Sequence, residues 1–508
     1  MLPPYEGFKG GAPAPRIRAA NDKPINPRAR HVLYWMIAAR RSRSNFALDR
    51  AMAWAVELGL PLVVLEALRV DYQFASDRLH RFIIDGMADN LEAFSRSEIL
   101  YYPYVEPDIH AARGLLERFA KDSAVVVTDE FPCFFLPQAV AAAATRLQVR
   151  VEAIDGNGLI PLAAVPQAYP AAVHHRRFMQ NALRTHLASV PLPNPLTTRL
   201  PSRLASVPRD IVRRWPRASS ALLGGSASSL AALPIHHEVR VVGMRGGSVA
   251  AERALAGFVR RRVSIYHEGH NHPDDRGTSR LSPYLHFGHI SAHQVFESVM
   301  RHEGWNLGRL ARKASGTREG WWGVGNGAEA FLDQLVVWRE LSYNTCAKRP
   351  DDYWRFESLP DWAQQTLAKH SRDARAYTYD HQTLESAGTH DPLWNAAQRE
   401  MVREGWMHNY LRMLWGKKIL EWSPSPQEAL KTMTALMNRW AVDGRDPNSY
   451  AGYAWTLGKY DRPWPERPVY GVVRSMSSES AARKLRLERY VAVNGPSAET
   501  PKRKRPAR

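Results

Sequence analysis

Cysteine is nearly absent from this sequence: its 508 residues include two, Cys133 and Cys346, far apart and without a Cys or His neighbour at zinc spacing. That excludes a disulfide scaffold and a zinc module, and no metal is expected. The two read as buried thiols in a reducing compartment, with a single disulfide as the alternative. Long apolar runs are missing too. No stretch of about 18 apolar residues occurs, and Met1 to Arg30 is rich in Pro, Gly and Arg where a signal peptide needs an apolar core. The expectation is a soluble intracellular monomer, cytoplasmic or nucleoid-associated, with no membrane partner. Acidic residues are in deficit: 50 Asp and Glu face 69 Lys and Arg, a formal charge of +19. Lys and Arg gain free energy by displacing counterions from phosphates, so nucleic acid leads the list of partners. The alternative is that part of the charge sits in a solvated arm, since the tail alone carries Lys502, Arg503, Lys504, Arg505 and Arg508.

What is present falls into two patterns. From His31 to about Leu162, apolar strand-like runs alternate with amphipathic stretches, as in a parallel sheet with crossover helices. Strands are expected at His31 to Ala38, Leu60 to Leu68, Ile99 to Glu106, Ala124 to Thr128 and Val149 to Ile154. Helices are expected at Ser44 to Leu58, Arg78 to Ser95, Ile109 to Lys121 and Leu136 to Leu147. This is a doubly wound, Rossmann-like α/β domain. It lacks G-x-G-x-x-G after the first strand, where Ala39-Arg40-Arg41-Ser42-Arg43-Ser44 stands, so ordinary dinucleotide binding there is disfavoured. From Ser248 to about Trp440 helical periodicity takes over, predicting an all-α C-terminal domain. The predicted organisation is a flexible segment 1–30, an α/β domain 31–190, a Pro- and small-residue-rich linker 191–247 with a mobile part, a helical domain 248–480, and a basic, disordered tail 481–508.

Three features carry chemistry. Gly277-Thr278-Ser279-Arg280-Leu281-Ser282-Pro283-Tyr284 puts hydroxyls at the start of a helix predicted to run through Leu285 to Met300. Free backbone N–H groups and hydroxyls at a helix start bind phosphate, although Ser282 before Pro283 is also an ordinary N-cap. Of the 16 tryptophans, Trp394, Trp406, Trp415, Trp422, Trp440, Trp455 and Trp464 crowd one region. Trp415 and Trp422 fall on one face of the helix predicted over Met407 to Trp422, and such indoles serve either as core or as an electron relay. Finally, Asp443-Gly444-Arg445-Asp446-Pro447-Asn448 is a turn whose carboxylates either cap a surface loop or orient an Arg or a cofactor ring, with Arg412 as candidate partner.

In this order, Leu281 to Ser291, Val336 to Ser342 (Val-Val-Trp-Arg-Glu-Leu-Ser), Thr389 to Gln398 (Thr-His-Asp-Pro-Leu-Trp-Asn-Ala-Ala-Gln), Gly405 to Trp422 and Asp443 to Asn448 resemble the cryptochrome and photolyase family. The nearest branch is the class II cyclobutane pyrimidine dimer photolyases, over roughly residues 30 to 480. The resemblance implies FAD in the helical domain and an antenna chromophore, a deazaflavin, in the α/β domain. It places Tyr266, Thr278, Ser279, Leu281 and Ser282 on the phosphates and ribityl chain, and Asn409, Arg412, Asp443 and Asp446 near the isoalloxazine. It assigns Trp394, Trp415 and Trp422 to the electron relay, and Trp338, Met413 and Trp455 to the lesion. The activity implied is blue-light repair of pyrimidine dimers in DNA, with extrusion of the lesion from the duplex.

Two positions depart from the family. Where it carries a Glu against the dimer, this chain has Gln334, which can hydrogen-bond a base carbonyl but supplies neither negative charge nor proton. Where it sets an Asn against flavin N5, counting back from Asp443 gives Met437, with Asn438 one residue later. A cryptochrome-like photoreceptor without repair activity is therefore the alternative function.

Overall fold

The computed structural model describes residues 11–496. The outer part of the expected flexible N-terminal segment and the end of the basic tail, with Lys502 to Arg508, lie outside the described residues. The N-terminal half is a six-stranded sheet in the order β1-β6-β5-β2-β3-β4. The strands are β1 (Ile17–Ala19), β2 (His31–Met36), β3 (Leu62–Leu68), β4 (Ile99–Val105), β5 (Ser123–Glu130) and β6 (Val151–Asp155). All neighbours run parallel except β1, which pairs antiparallel to β6 with Ile17 opposite Ile154. Crossover helices α1 (Phe46–Leu58), α2 (Asp77–Ser95), α3 (Leu115–Lys121) and α4 (Leu136–Arg146) cover both faces. The parallel strands are apolar throughout because both faces are covered: Val32, Leu33, Tyr34, Val63, Val64, Val126 and Val127 have no exposed surface.

Two expectations about the ends of this domain are corrected. From residue 11 the N-terminal segment is not free: Arg16 is buried and donates to the carbonyls of Asp155, Gly158 and Leu159 at 3.1, 3.0 and 2.8 Å. A three-residue edge strand between prolines is too short to leave an alternating pattern, which is why β1 is invisible in sequence. The stretch read as a partly mobile linker is also packed. After α5 (Ala172–His186) it forms α6 (Arg209–Arg214), α7 (Ser220–Leu223) and α8 (Ala227–Ala231). Leu222, Leu223, Leu230 and Leu233 bury themselves against Ile83, Ile84 and Met87 of α2. Four leucines spaced for short helices outweigh the flexibility of the serines and glycines between them.

The remainder is helical: α9 (Ser248–Arg261), α10 (Tyr266–Gly269), α11 (Ser282–His286), α12 (Ala292–His302), α13 (Asn326–Leu332), α14 (Arg339–Lys348), α15 (Asp361–Lys369) and α16 (His381–Glu385). Then follow α17 (Pro392–Glu404), α18 (Asn409–Trp422), α19 (Pro426–Trp440), α20 (Pro447–Thr456), α21 (Ser478–Lys484) and α22 (Glu488–Asn494). The helix predicted from Ser282 to Met300 is two. Gly288, at φ +67°, breaks it, and a Cβ there would lie 1.9 Å from the carbonyl oxygen of Ala38. The bend presses the helical domain onto the end of β2, and Ser291 caps the second piece by accepting from the N–H of Gln294. The described part of the predicted disordered tail is folded too: Tyr490 of α22 donates to Glu400 at 2.8 Å.

A buried carboxylate joins the two halves. Glu340 of α14 accepts from the N–H groups of Leu159 at 2.7 Å and Ile160 at 3.2 Å, and Arg339 beside it donates to the carbonyl of Asn157. Burial pushes the Glu340 carboxyl up to about 7 against those hydrogen bonds. The two cysteines meet the same boundary as free, buried thiols, Cys133 donating to the carbonyl of Arg445 at 3.2 Å. No helix among the described residues is long and apolar enough to cross a membrane. Replacing Glu340 by Ala strands two buried amide donors, so urea unfolding should register a loss of roughly 2–4 kcal/mol, with Glu340→Gln losing less.

Candidate functional site

A cavity of about 1250 Å³ opens in the helical domain. It lies where α10, α11, α13, α14, α18 and α20 converge. One wall is built by the loop before α11. Gly277 packs so closely on α10 that a Cβ would fall 2.6 Å from the backbone of Gly269. That contact presents Thr278 and Ser279 to the cavity, with Ser282 beside them. Ser282 is the first residue of α11 and its side chain caps nothing, so the N-cap alternative fails and the hydroxyl faces open space. Tyr266 closes this wall, its ring stacked on His270 at 4.8 Å and edge-on to Phe331 at 5.4 Å. Burial raises its phenol, and Asp333 adds to that.

The opposite wall is electrostatic. Arg412 of α18 donates to Asp443 at 3.0 and 3.2 Å, as the spacing of the turn predicted. Both bonds come from Nη2, which leaves Nη1 without a protein partner and free to donate to a bound molecule. Asp446 accepts from the N–H of Asn448 at 2.9 Å, starting α20, and from His286 and Tyr343 at 3.1 Å each. Burial works to raise its carboxyl, but His286 and Arg339 outweigh it and hold the group below the usual carboxylate range. Asn409 lines the same wall from the exposed first turn of α18.

Between α13 and α14 the helix does not break but widens into one π turn, Asp333–Trp338. The extra residue rotates Gln334 and Trp338 together into the cavity. The turn is anchored by Asp333, buried and paired with Arg176 at 2.7 Å. Met413 and Trp455 line the same cavity. Trp406, Asp461, Trp464, Arg467, Arg474 and Lys484 also line it and were not predicted. The signal available was the basic, Trp-containing run Arg462 to Arg474, which has no periodicity to place it on an element.

Not every expected residue reaches the cavity. Leu281 is buried in the apolar core under the loop, a support for Thr278 and Ser282 with no surface of its own to offer. Met437 is fully buried in the core of α17 to α20. Asn438, the other reading of that position, is committed elsewhere: it accepts from the N–H of Arg445 at 2.8 Å and donates to the Tyr450 hydroxyl at 3.3 Å. No amide from this segment lines the cavity. Trp394, Trp415 and Trp422 do not line it either, but they do meet. Trp394 stacks on Trp415 at 6.2 Å and 5°, and meets Trp422 edge-on at 5.5 Å.

The cavity fits a long cofactor with a phosphate-bearing tail and a flat polar ring: hydroxyls and a hydrogen-bonded loop on one side, a free Arg donor and two carboxylates on the other. A second pocket, about 640 Å³, lies at the C-terminal edge of the sheet, lined by Trp35, Tyr72, Phe134, Phe135 and Leu136 with Arg69, Glu106 and Arg113. The turn after α19 separates the two: Arg445 and His286 line this pocket, Asp443 and Asp446 line the first, and His286 bonds to Asp446 across the wall. Among the described residues no group of acids, Cys and His could hold a metal.

No family model matches the chain. It is 35% identical over 484 residues to a deoxyribodipyrimidine photo-lyase of Methanothermobacter thermautotrophicus, covering 94% of this chain and 97% of the relative. Against the enzyme of that name from Oryza sativa subsp. japonica, identity is 32%, covering 94% and 89%. A crystal structure of a class III photolyase from Agrobacterium tumefaciens shares the fold, with a TM-score of 0.64 at 18% identity over 92% of this chain and 86% of that one. Asp333→Asn should leave Arg176 buried without its counterion and lower stability by roughly 3–5 kcal/mol, read as a shifted urea midpoint at unchanged slope.

Proposed function

The chain belongs to the photolyase and cryptochrome family, and from this premise we propose that it repairs cyclobutane pyrimidine dimers in DNA under blue light. The observation that carries the reading is that Gln334, Trp338, Met413 and Trp455 line the same cavity as the hydroxyls of Thr278, Ser279 and Ser282 and the Arg412–Asp443 pair, groups that suit FAD. When bound and reduced, FAD would supply blue-light absorption and a one-electron donor. Thr278, Ser279 and Ser282 hold its phosphates and ribityl chain, with Tyr266 beside them. Arg412, Asp443, Asp446 and Asn409 orient the ring. Extruding two adjacent bases costs a few kcal/mol and is cheapest for a damaged, poorly stacked pair. Trp338 and Trp455 offer aromatic faces and Met413 an adaptable apolar surface to repay that cost, and the Gln334 amide hydrogen-bonds a base carbonyl.

Trp415, Trp394 and Trp422 form the electron path toward the cavity. Their contacts run in that order, and Trp415 lies one turn along α18 from cavity-lining Arg412. The second pocket takes the antenna chromophore: its flat aromatic lining and polar rim suit a deazaflavin. On this reading residues 31–190 are the antenna domain and 248–480 the FAD domain, working on duplex DNA as a monomer inside the cell. The basic balance supports the DNA partner.

The photoreceptor reading keeps one specific support, the absence of an amide at Met437 together with Gln334 in place of a carboxylate. The two are separated by incubating the purified, flavin-loaded protein with a dimer-containing oligonucleotide under blue light. Restoration of intact thymines is expected; none, with flavin bound and photoreducible, leaves the photoreceptor. Binding of the same oligonucleotide should weaken with salt at a slope of about −0.9 per phosphate contacted, and a flat salt response would argue against a duplex-binding face. Trp394→Phe should slow flavin photoreduction while flavin added already reduced still supports repair.

A further inference from the structure

Lys417 is a buried charge that the repair scheme leaves unused. It follows Gly416 in α18 and precedes Lys418, and the two lysines differ in surroundings. Lys418 pairs with Glu421 at 3.1 Å. Lys417 has no exposed surface, and among the described residues it forms no ion pair. Its ammonium donates to the carbonyl oxygen of Thr456 at 2.6 Å and lies 4.8 Å from the ring centroid of Trp455. Glycine makes this possible: a Cβ on Gly416 would sit 2.6 Å from the Thr456 side chain, so α18 crosses the end of α20 at close range. The next side chain then reaches the carbonyls at the C-terminus of α20, where a cation offsets the partial negative charge of the helix end. The indole it faces belongs to the last turn of that same helix. Arg474 approaches that ring at 5.8 Å while stacking on Trp464 at 4.1 Å, and its charge is taken by Asp461 at 2.9 Å.

We propose that Lys417 is the positioning residue for Trp455: its charged ammonium fixes the indole on the cavity wall and thereby sets the preference for a dimer over undamaged DNA. The inference rests on the repair reading. A cation over an aromatic face attracts it through the ring quadrupole, and more strongly where water is excluded. A neutral amine can still meet the Thr456 carbonyl but has no such attraction. Burial, opposed by Asp461 and helped by Arg474, lowers Lys417 to about 7, so the attraction is present below that point and lost as pH rises through it. The charged groups that act on the ammonium are Asp461 and Arg474 from the segment after α20; on its own helix Lys418 is paired with Glu421, Tyr470 donates to the backbone carbonyl of Lys417 rather than facing its ammonium, and α20 brings Trp455 and Thr456.

The test measures binding in the dark of the full chain to a duplex carrying one thymine dimer and to the same duplex undamaged. Lys417→Met should cut the ratio of the two affinities about tenfold. Trp455→Leu, which removes the aromatic face, should do the same, and the double variant should lose no more than either alone, since both changes remove one coupled unit. In the unmutated chain the ratio should fall between about pH 6 and about pH 9, and in Trp455→Leu it should stay flat. A ratio untouched by Lys417→Met, additive losses in the double variant, or a flat profile in the unmutated chain each overturn the inference. Should Lys417→Met fail to fold, the two pH profiles decide. An unmutated chain that binds both duplexes alike overturns the repair reading and this inference with it.

Discussion

Trp394 is the point on which the helical domain depends. It has no exposed surface, its indole N–H donates to the carbonyl of Trp415 at 3.0 Å, and Trp415 in turn donates to Gln398 at 2.9 Å. A buried indole must find an acceptor for its N–H, and each of these finds one on the opposite helix. The stack therefore locks α17 to α18 at one rotation. That rotation decides which face of α18 turns outward, and the outward face carries Asn409, Arg412 and Met413. The packing that makes the core is the same packing that aims the cavity wall.

The turn between α19 and α20 does comparable work for the two pockets. Arg445 adopts φ +63°, is buried, and hydrogen-bonds back to the carbonyls at the end of α19. Asp443 and Asp446, on either side of it, face the larger cavity, while Arg445 faces the smaller. A charged turn in the interior is costly unless every group is paired, and here Arg412, His286, Tyr343 and Asn438 supply the partners. One short segment thus becomes a shared wall between the two pockets.

Around the larger cavity, cations meet aromatic rings at Trp455 and Trp464, and Gln334 puts on the wall a neutral amide that can hydrogen-bond but has no carboxyl proton to supply. Met437 stays inside the core of α17 to α20, so neither it nor Asn438 adds a polar group to the cavity wall.

By itself the sequence determined the layering and the family: alternating strand and helix periods over the first third, helical periods thereafter, and long motifs in a diagnostic order. Those are local or linear properties, so they survive without coordinates. It also brought Arg412 to Asp443, because a carboxylate turn after a helix has few cations within reach. What tertiary structure alone decided depends on contacts between distant segments. The π turn that aims Gln334 and Trp338 is invisible to a 3.6-residue period. The break at Gly288 depends on Ala38, some 250 residues away. The retreat of Leu281 and Met437 into the core follows from helix rotation, and the linker is pinned by leucines whose partners lie on α2. Nothing in the sequence separates Lys417 from Lys418; only the crossing of α18 over the end of α20 seals Lys417 from water against an indole.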